Sequence, residues 1–304
     1  MESKPNKSSL LSSNGFNMKQ KSLFLRPLFL LVFSAVCLIG CSIDSEKDSD
    51  NLPASEIANA SYGTDTRQKM DIFLPAGRSI GKTPVLVYIH GGAWIDGDKS
   101  EFLQVKPLVE QAFPEVAMIT INYRLFDLVS KQNKFPAQEE DVKKALTYIR
   151  SKLAEWNVSN KIILSGASAG AHLALLHGLK NKESDVMGLI AFFPPTDLSS
   201  LFGFNNLTTL GLTEIMGGTP QTASTAYKNG SPVNFASSDD PPTIFFHGDI
   251  DQVVPISQSE KLEIAMKNAK VRHQFIRVPN QGHGFTAETN ASLLKQANAF
   301  FGGF

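Results

Sequence analysis

Five residues, Gly166-Ala167-Ser168-Ala169-Gly170, constrain this chain more than any other stretch. An apolar run, Ile162-Ile163-Leu164, precedes them, and a small-residue, then leucine-rich segment, Ala171 to Leu179, follows. That order predicts a strand, a sharp turn and a helix. The flanking glycines are needed because a Cβ would clash in so tight a bend. In such a G-x-S-x-G turn the Ser168 hydroxyl stands clear of the backbone at the edge of a sheet. The helix behind it aims free N–H groups at the space where negative charge would develop. The bare pattern also arises by chance in loops. The strand before it and the helix after it argue against chance here.

A serine used this way needs a base to take its proton and an acid to hold that base in one tautomer. Six histidines compete. His172 and His177 follow on the serine's own helix and cannot fold back onto it from the proper side. His247 and His273 sit at strand ends and are expected to be satisfied there, and His90 to brace its loop. His283 lies between two glycines in a turn after the last predicted strand, free to project, and is the expected base. For the acid, Asp251 leads, a few residues past the strand at Thr243–Phe246. Asp249 is the runner-up, expected to fix the turn by bonding its own backbone, and Asp197 is a third candidate.

Val85 to Ile89 is a continuous apolar run, as for a central strand buried on both faces. It leads into His90-Gly91-Gly92-Ala93-Trp94. A plain Gly-Gly turn would explain the glycines. Their place one unit upstream of the Ser168 turn favours a backbone that must approach something closely. The expected donors to a developing oxyanion are the N–H of Ala169 and one or two from this loop, Gly92 and Ala93 in particular. Each such donor is worth about 3 kcal/mol in a transition state.

The 304 residues are 42% hydrophobic, with Lys+Arg and Asp+Glu both 29. That length suits one large domain or two small ones, and the balanced charge gives no reason to expect nucleic acid or a polyanion. Beyond residue 80 strand-like and helix-like segments alternate, the pattern of an α/β fold with a mostly parallel sheet. Pro136 opens a helix whose Val142, Ala145, Leu146, Ile149 and Leu153 share one face. Residues 198–240 read as irregular: a long surface connection, or a small lid. Phe202, Phe204 and Tyr227 there either meet substrate or pin the loop.

The two cysteines, Cys37 and Cys41, lie in an N-terminal apolar region, so the rest of the chain has no disulfide or thiolate metal site. Met18-Lys19-Gln20-Lys21, Arg26 and the apolar run Leu28–Ile39 resemble an export signal, too short to span a membrane comfortably. Its end, Leu38-Ile39-Gly40-Cys41, resembles a bacterial lipobox. The resemblance implies cleavage before Cys41, acylation of its thiol and delivery to the outer membrane of a Gram-negative envelope. An ordinary secretory peptide is the alternative. Residues 1–40 are thus expected to be the signal region, with the true signal at 18–40. Polar, acidic residues 41–61 are expected to form a solvated tether, and residues 62–304 the folded domain.

From Gln68 to Phe285 the chain resembles the α/β-hydrolase superfamily, in its esterase/lipase branch with an HGG-type oxyanion loop. The matching pieces, in order, are Met70-Asp71-Ile72-Phe73-Leu74-Pro75, His90-Gly91-Gly92-Ala93-Trp94, Asn122-Tyr123-Arg124-Leu125, Phe135-Pro136-Ala137-Gln138, Gly166-Ala167-Ser168-Ala169-Gly170, His247-Gly248-Asp249-Ile250-Asp251 and Gly282-His283-Gly284-Phe285. The resemblance implies a parallel sheet flanked by helices and a cofactor-free carboxylic ester hydrolase with a Ser168–Asp251–His283 triad. Many relatives carry a third glycine where this chain has Ala93; only the N–H is needed, so the methyl should be tolerated. The loop also resembles that of kynurenine formamidase-like members, which keeps amide substrates open. The leading expectation is an exported esterase on small or polysaccharide-borne acyl groups, of acetyl or feruloyl type. A prolyl-oligopeptidase-like peptidase would need an extra propeller for which there is no room. A non-catalytic binding protein on the same scaffold would typically lack a triad member.

Overall fold

The computed structural model describes residues 52–303. The signal region, Cys41 and the first part of the expected tether lie outside the described residues.

Eight strands form one sheet: β1 (Ser55–Ser61), β2 (Lys69–Leu74), β3 (Val85–Ile89), β4 (Ala117–Ile121), β5 (Ile162–Ala167), β6 (Val186–Phe192), β7 (Thr243–Gly248) and β8 (His273–Val278). Their spatial order is β1-β2-β4-β3-β5-β6-β7-β8. β1 and β2 pair antiparallel at one end, and β2 meets β4 antiparallel; all remaining pairs are parallel. β3 and β5 are neighbours, with Ile89 in register with Gly166. The expected loop after β3 and the serine turn after β5 therefore emerge side by side at the same edge of the sheet.

Alternation along the strands sends side chains to two cores. Ile162 and Leu164 point into one, with Val142, Leu146 and Ile149 of α2 (Ala137–Trp156), Leu173 and Leu175 of α3 (Ala169–Asn181), and Leu262 and Met266 of α7 (Ser257–Ala269). Ile163 points into the other, with Val109 of α1 (Lys106–Ala112) and Leu293, Leu294 and Ala297 of α8 (Ala287–Phe301). Each buried aliphatic side chain contributes about 1.5–3 kcal/mol, so both faces hold β5 in place beneath the serine.

Two expectations need correction. Residues 55–61 are not tether: they form β1, whose side chains are mostly exposed. The strand is held by backbone pairing to β2 rather than by burial, so its polar composition hides it. A register shift between Ile57 and Ala60 bulges it, with Asn59 at φ 57° and its N–H on Asp71 Oδ1 at 2.7 Å. The connection from Trp94 to β4, on which the sequence offers no expectation, is structured. It holds a 3-10 helix at Lys99–Gln104, started by an Asp98–Glu101 capping box, and α1. Second, residues 198–240 are mostly helical: α4 (Leu198–Leu201), α5 (Asn206–Met216), α6 (Ser224–Asn229) and a 3-10 turn at Pro232–Phe235. Asn205 and Thr208 form a capping box for α5, and Gly217 ends it at φ 78°. Tyr227 and Leu212 are buried, so this segment packs on the domain. Tyr227 pins it, with its ring against Phe202 and its hydroxyl donating to Gly218 O.

Candidate active site

Ser168 sits between β5 and α3 at φ 52°, ψ −120°, a backbone conformation that L residues rarely adopt and that costs on the order of 1–3 kcal/mol. The turn is that tight because α3 starts against β3: a Cβ on Gly170 would lie 2.0 Å from the Ile89 carbonyl oxygen. The serine hydroxyl donates to His283 Nε2 at 2.9 Å, and His283 Nδ1–H donates to Asp251 Oδ2 at 2.7 Å. The three side chains named from the sequence thus form one hydrogen-bonded chain across loops that follow β5, β7 and β8.

Each partner is fixed in turn. Asp251 Oδ1 accepts the N–H groups of Val253 and Val254, closing its own turn. Its Oδ2 also lies 3.3 Å from His247 Nε2. Burial pushes this carboxyl up, but the hydrogen bonds from His247 and His283 and the Val254 N–H outweigh it, and the carboxyl is held well below the usual range. It is therefore an anion near neutral pH. The side chain of Asp251 is fully buried while that of His283 keeps 18% exposure, so the ring meets the cleft and the charge does not meet water. The Phe193 ring lies 4.6 Å from that of His283, on a strained backbone at φ 41°.

Asp249 does not bond its own turn as expected. Its Oδ1 accepts the Asn280 N–H at 2.7 Å and so ties the β7 loop to the loop carrying His283. Asp197 caps α4 and pairs with Lys261. His247 bonds Ser259 and Val254, His273 bonds Val271 O, and His177 bonds Glu183, as befits structural histidines.

The loop after β3 packs against the serine: a Cβ on Gly91 would lie 3.5 Å from Ser168 Cβ. Gly92 has φ 95°, and a Cβ there would meet Asp96 O at 2.1 Å, because Ile95 and Asp96 both donate back to Gly92 O. Ala93 and Trp94 follow at φ 50° and 62°. The N–H groups of Gly92 and Ala93 donate to no acceptor among the described residues, and that of Ala169 opens α3, where no intrahelical acceptor exists. Backbone donors left unpaired beside a hydroxyl are poised to receive an anion.

His90 braces this loop as expected; its partners, Arg67 and Tyr123, were not foreseen from the sequence. His90 stacks on Tyr123 at 4.3 Å, its Nδ1–H donates to Gly91 O, and its Nε2 receives Arg67. Arg67 also donates to Gly97 O at 2.7 Å. Burial and the Arg67 charge pull the His90 pKa down to about 4 against the Gly91 hydrogen bond, so the ring is neutral. The Tyr123 hydroxyl donates to His90 O and Gly91 O. Nearby, buried Asp141 accepts from Arg124 and Gln68, locking α2 to the ends of β4 and β2. These partners lie up to 73 residues apart, and no local pattern announces them.

An apolar cavity of about 210 Å³ lies behind the site on the α1/α8 face. Ala167 and Gly284, which flank Ser168 and His283 in the chain, line it, with Phe102, Phe193 and Phe285. Two hydroxyls also line it, Tyr88 and the buried Ser165, and neither bonds any described residue. A larger open cleft of about 730 Å³, lined by Glu139, Lys180 and Thr222 among others, includes no member of the Ser168 chain.

The strand order, the strained serine turn and the Ser168–His283–Asp251 chain define an α/β-hydrolase of the esterase branch. The chain belongs to the BD-FAE family, which matches residues 70–266, well over half its length. Among solved structures it resembles a truncated form of a carbohydrate esterase from gut microbiota, with TM-score 0.71 and 27% identity, over 84% of this chain and 97% of that one. It also resembles a bifunctional GH43-CE protein of Bacteroides eggerthii, with TM-score 0.69 and 27% identity, over 81% and 38% of the two chains. Esterase LipQ of Mycobacterium tuberculosis is 26% identical over 82% of this chain and 62% of its own length. The chain therefore spans about three-fifths of that curated relative.

Proposed function

We propose that this protein hydrolyses carboxylic esters through an acyl-enzyme, with Ser168 as nucleophile, His283 as general base and Asp251 as the group that holds the imidazole. The observation that carries the reading is the unbroken Ser168–His283–Asp251 hydrogen-bond chain beside the unpaired N–H groups of Gly92, Ala93 and Ala169. Ser168 Oγ attacks the ester carbonyl as its proton passes to His283 Nε2. The carbonyl oxygen becomes an oxyanion facing the three N–H groups. Collapse breaks the C–O bond, and the alcohol leaves with the proton from His283. Water then attacks the acyl-enzyme by the same route and releases the acid.

For the substrate, we favour an acyl ester carried on carbohydrate. The likeness to a carbohydrate esterase supports the alcohol side. The cavity beside Ala167 and Gly284 supports an apolar acyl group larger than acetyl, since a cavity of about 150 Å³ already accepts a benzene ring. Its two unpaired hydroxyls suit a ring with polar substituents, as in a feruloyl ester. We further propose that the protein is exported and held in a cell envelope through acylated Cys41. One acyl chain anchors only marginally, so stable retention needs the two or three that a lipoprotein bears.

Ser168→Ala should lower ester hydrolysis at least about a thousandfold with the fold unchanged; substantial activity in the pure variant would remove Ser168 from its role. Asp251→Asn should cost about ten-thousandfold, because an amide at that position favours the wrong imidazole tautomer, as it does in serine-protease triads. Asp249→Asn should cost far less. Acetylated and feruloylated oligosaccharides assayed side by side decide the acyl group. Membrane fractionation and intact mass of wild type and Cys41→Ser decide the anchor, since unchanged retention would refute it.

A further inference from the structure

The oxyanion loop carries two consecutive non-glycine residues at positive φ, Ala93 and Trp94, and something must hold them there. Trp94 is 9% exposed, and its indole N–H donates to His172 Nδ1 at 3.2 Å. The two rings meet edge to face, 5.1 Å apart at 87°. Because Nδ1 accepts, the proton of the neutral imidazole sits on Nε2, which donates to Gly230 O at 2.7 Å. His172 is 1% exposed on α3, one helical turn beyond Ser168, and its backbone N–H bonds Ser168 O. One imidazole therefore joins the oxyanion loop, the nucleophile's helix and the helical segment 198–235. Gly230 is itself set by its N–H on Ala226 O and by Met216 and Leu198, which crowd the place a Cβ would take.

We propose that His172 is a positioning residue, whose Nδ1 lone pair fixes the Trp94 indole and thereby the aim of the Gly92 and Ala93 N–H groups at the oxyanion. The inference rests on the oxyanion-hole reading given above. Its physical basis is that a strained backbone keeps its direction only while the surroundings over-determine it. Trp94 O already accepts the Phe126 N–H, and the indole bond supplies a second, independent point on the same residue. Without it, Ala93 and Trp94 can relax towards negative φ and turn the donors away. The loss would fall on the transition state, because the ground-state carbonyl needs those donors less.

Two substitutions separate the two hydrogen bonds. His172→Asn can place an amide oxygen near the Nδ1 position and keep the Trp94 contact. His172→Gln can place an amide N–H near the Nε2 position and keep Gly230 while losing Trp94. With a soluble aryl ester, the Gln variant should lose about 10- to 100-fold in kcat at nearly constant KM, less than the 10²–10³ of a deleted donor. The Asn variant should stay within about threefold of wild type. An aryl trifluoromethyl ketone reports on the hole directly: Ser168 Oγ bonds its carbonyl carbon, the serine proton moves to His283, and the alkoxide occupies the hole. Its Ki should rise in the Gln variant by the same factor by which kcat/KM falls. In a Trp94→Phe background, which removes the donor, His172→Gln should add no further loss. A folded Gln variant with kcat and Ki within twofold of wild type would overturn the proposal, as would equal damage from Asn and Gln with Trp94→Phe unaffected. Should neither His172 variant fold, Trp94→Phe decides alone, by losing or keeping kcat and inhibitor affinity. Full activity in Ser168→Ala would instead sink the hydrolase reading itself.

Discussion

Two strained turns emerge from adjacent strands, and they are held by different means. The serine turn after β5 is fixed by backbone against backbone, with Gly170 pressed on the Ile89 carbonyl and α3 buried behind it. The loop after β3 is fixed by side chains: His90 on Tyr123 and Arg67, and Trp94 on His172. Backbone contact leaves no slack and admits no substitution with a Cβ. Side-chain braces can be removed one at a time, and two of them are titratable. The serine turn is thus the rigid half of the site and the loop after β3 the adjustable half.

The largest effect should come from breaking the rigid half. Gly170→Val puts a branched side chain where even a Cβ meets a carbonyl oxygen at 2.0 Å. Loss of the folded protein is expected, on the order of 4 kcal/mol or more; a urea midpoint within experimental error of wild type would contradict it. Acid should act next, and on the other half. His90 and His172 are buried neutral, each with its pKa lowered from 6.5 to about 4, chiefly by burial. The unfolded chain binds protons on them as pH falls from about 6.5 to 4 while the folded chain does not. Their contribution is therefore full above pH 6.5 and declines towards pH 4, by up to roughly 3 kcal/mol each. Urea midpoints at pH 7.5 and 4.5 measure it, and His172→Asn should flatten the slope; an unchanged slope would show that His172 does not carry it. The smallest effect is expected from Tyr123→Phe, which removes one buried hydroxyl from His90 O and Gly91 O. It should cost about 1–2 kcal/mol and lower kcat without changing KM; a shift in KM alone would place Tyr123 on the substrate side instead.

The same contrast explains what could be read from the sequence. The serine turn was legible because its requirement for small residues is local, and Gly166 and Gly170 state it within five positions. Central strands such as Val85–Ile89 were legible because burial on both faces leaves an unbroken apolar run. His283 and Asp251 could be named from their places past strand ends, and the structure brings both to Ser168. His90 could be named as a brace, but the partners of the braces were not legible. Nothing near Arg67 indicates that it will meet His90, and Trp94 and His172 are 78 residues apart. Segment 198–240 read as loop because its helices are short and set by caps such as Asn205 and Asp197 rather than by a long apolar stripe. β1 was hidden because backbone pairing at an edge asks almost nothing of side chains.

That edge strand has a practical consequence. A chain cut back to Tyr62, where composition places the start of the domain, would lose β1 and strip one side of β2. The bared strand would present a row of unpaired backbone donors and acceptors. Such an edge is a template for pairing with another molecule of the same kind. The polar, bulged β1 is a poor template by the same criteria: it is twisted, interrupted at Asn59 and carries Glu56 outward. The seven residues that look like linker serve as the cover that keeps the sheet from self-association.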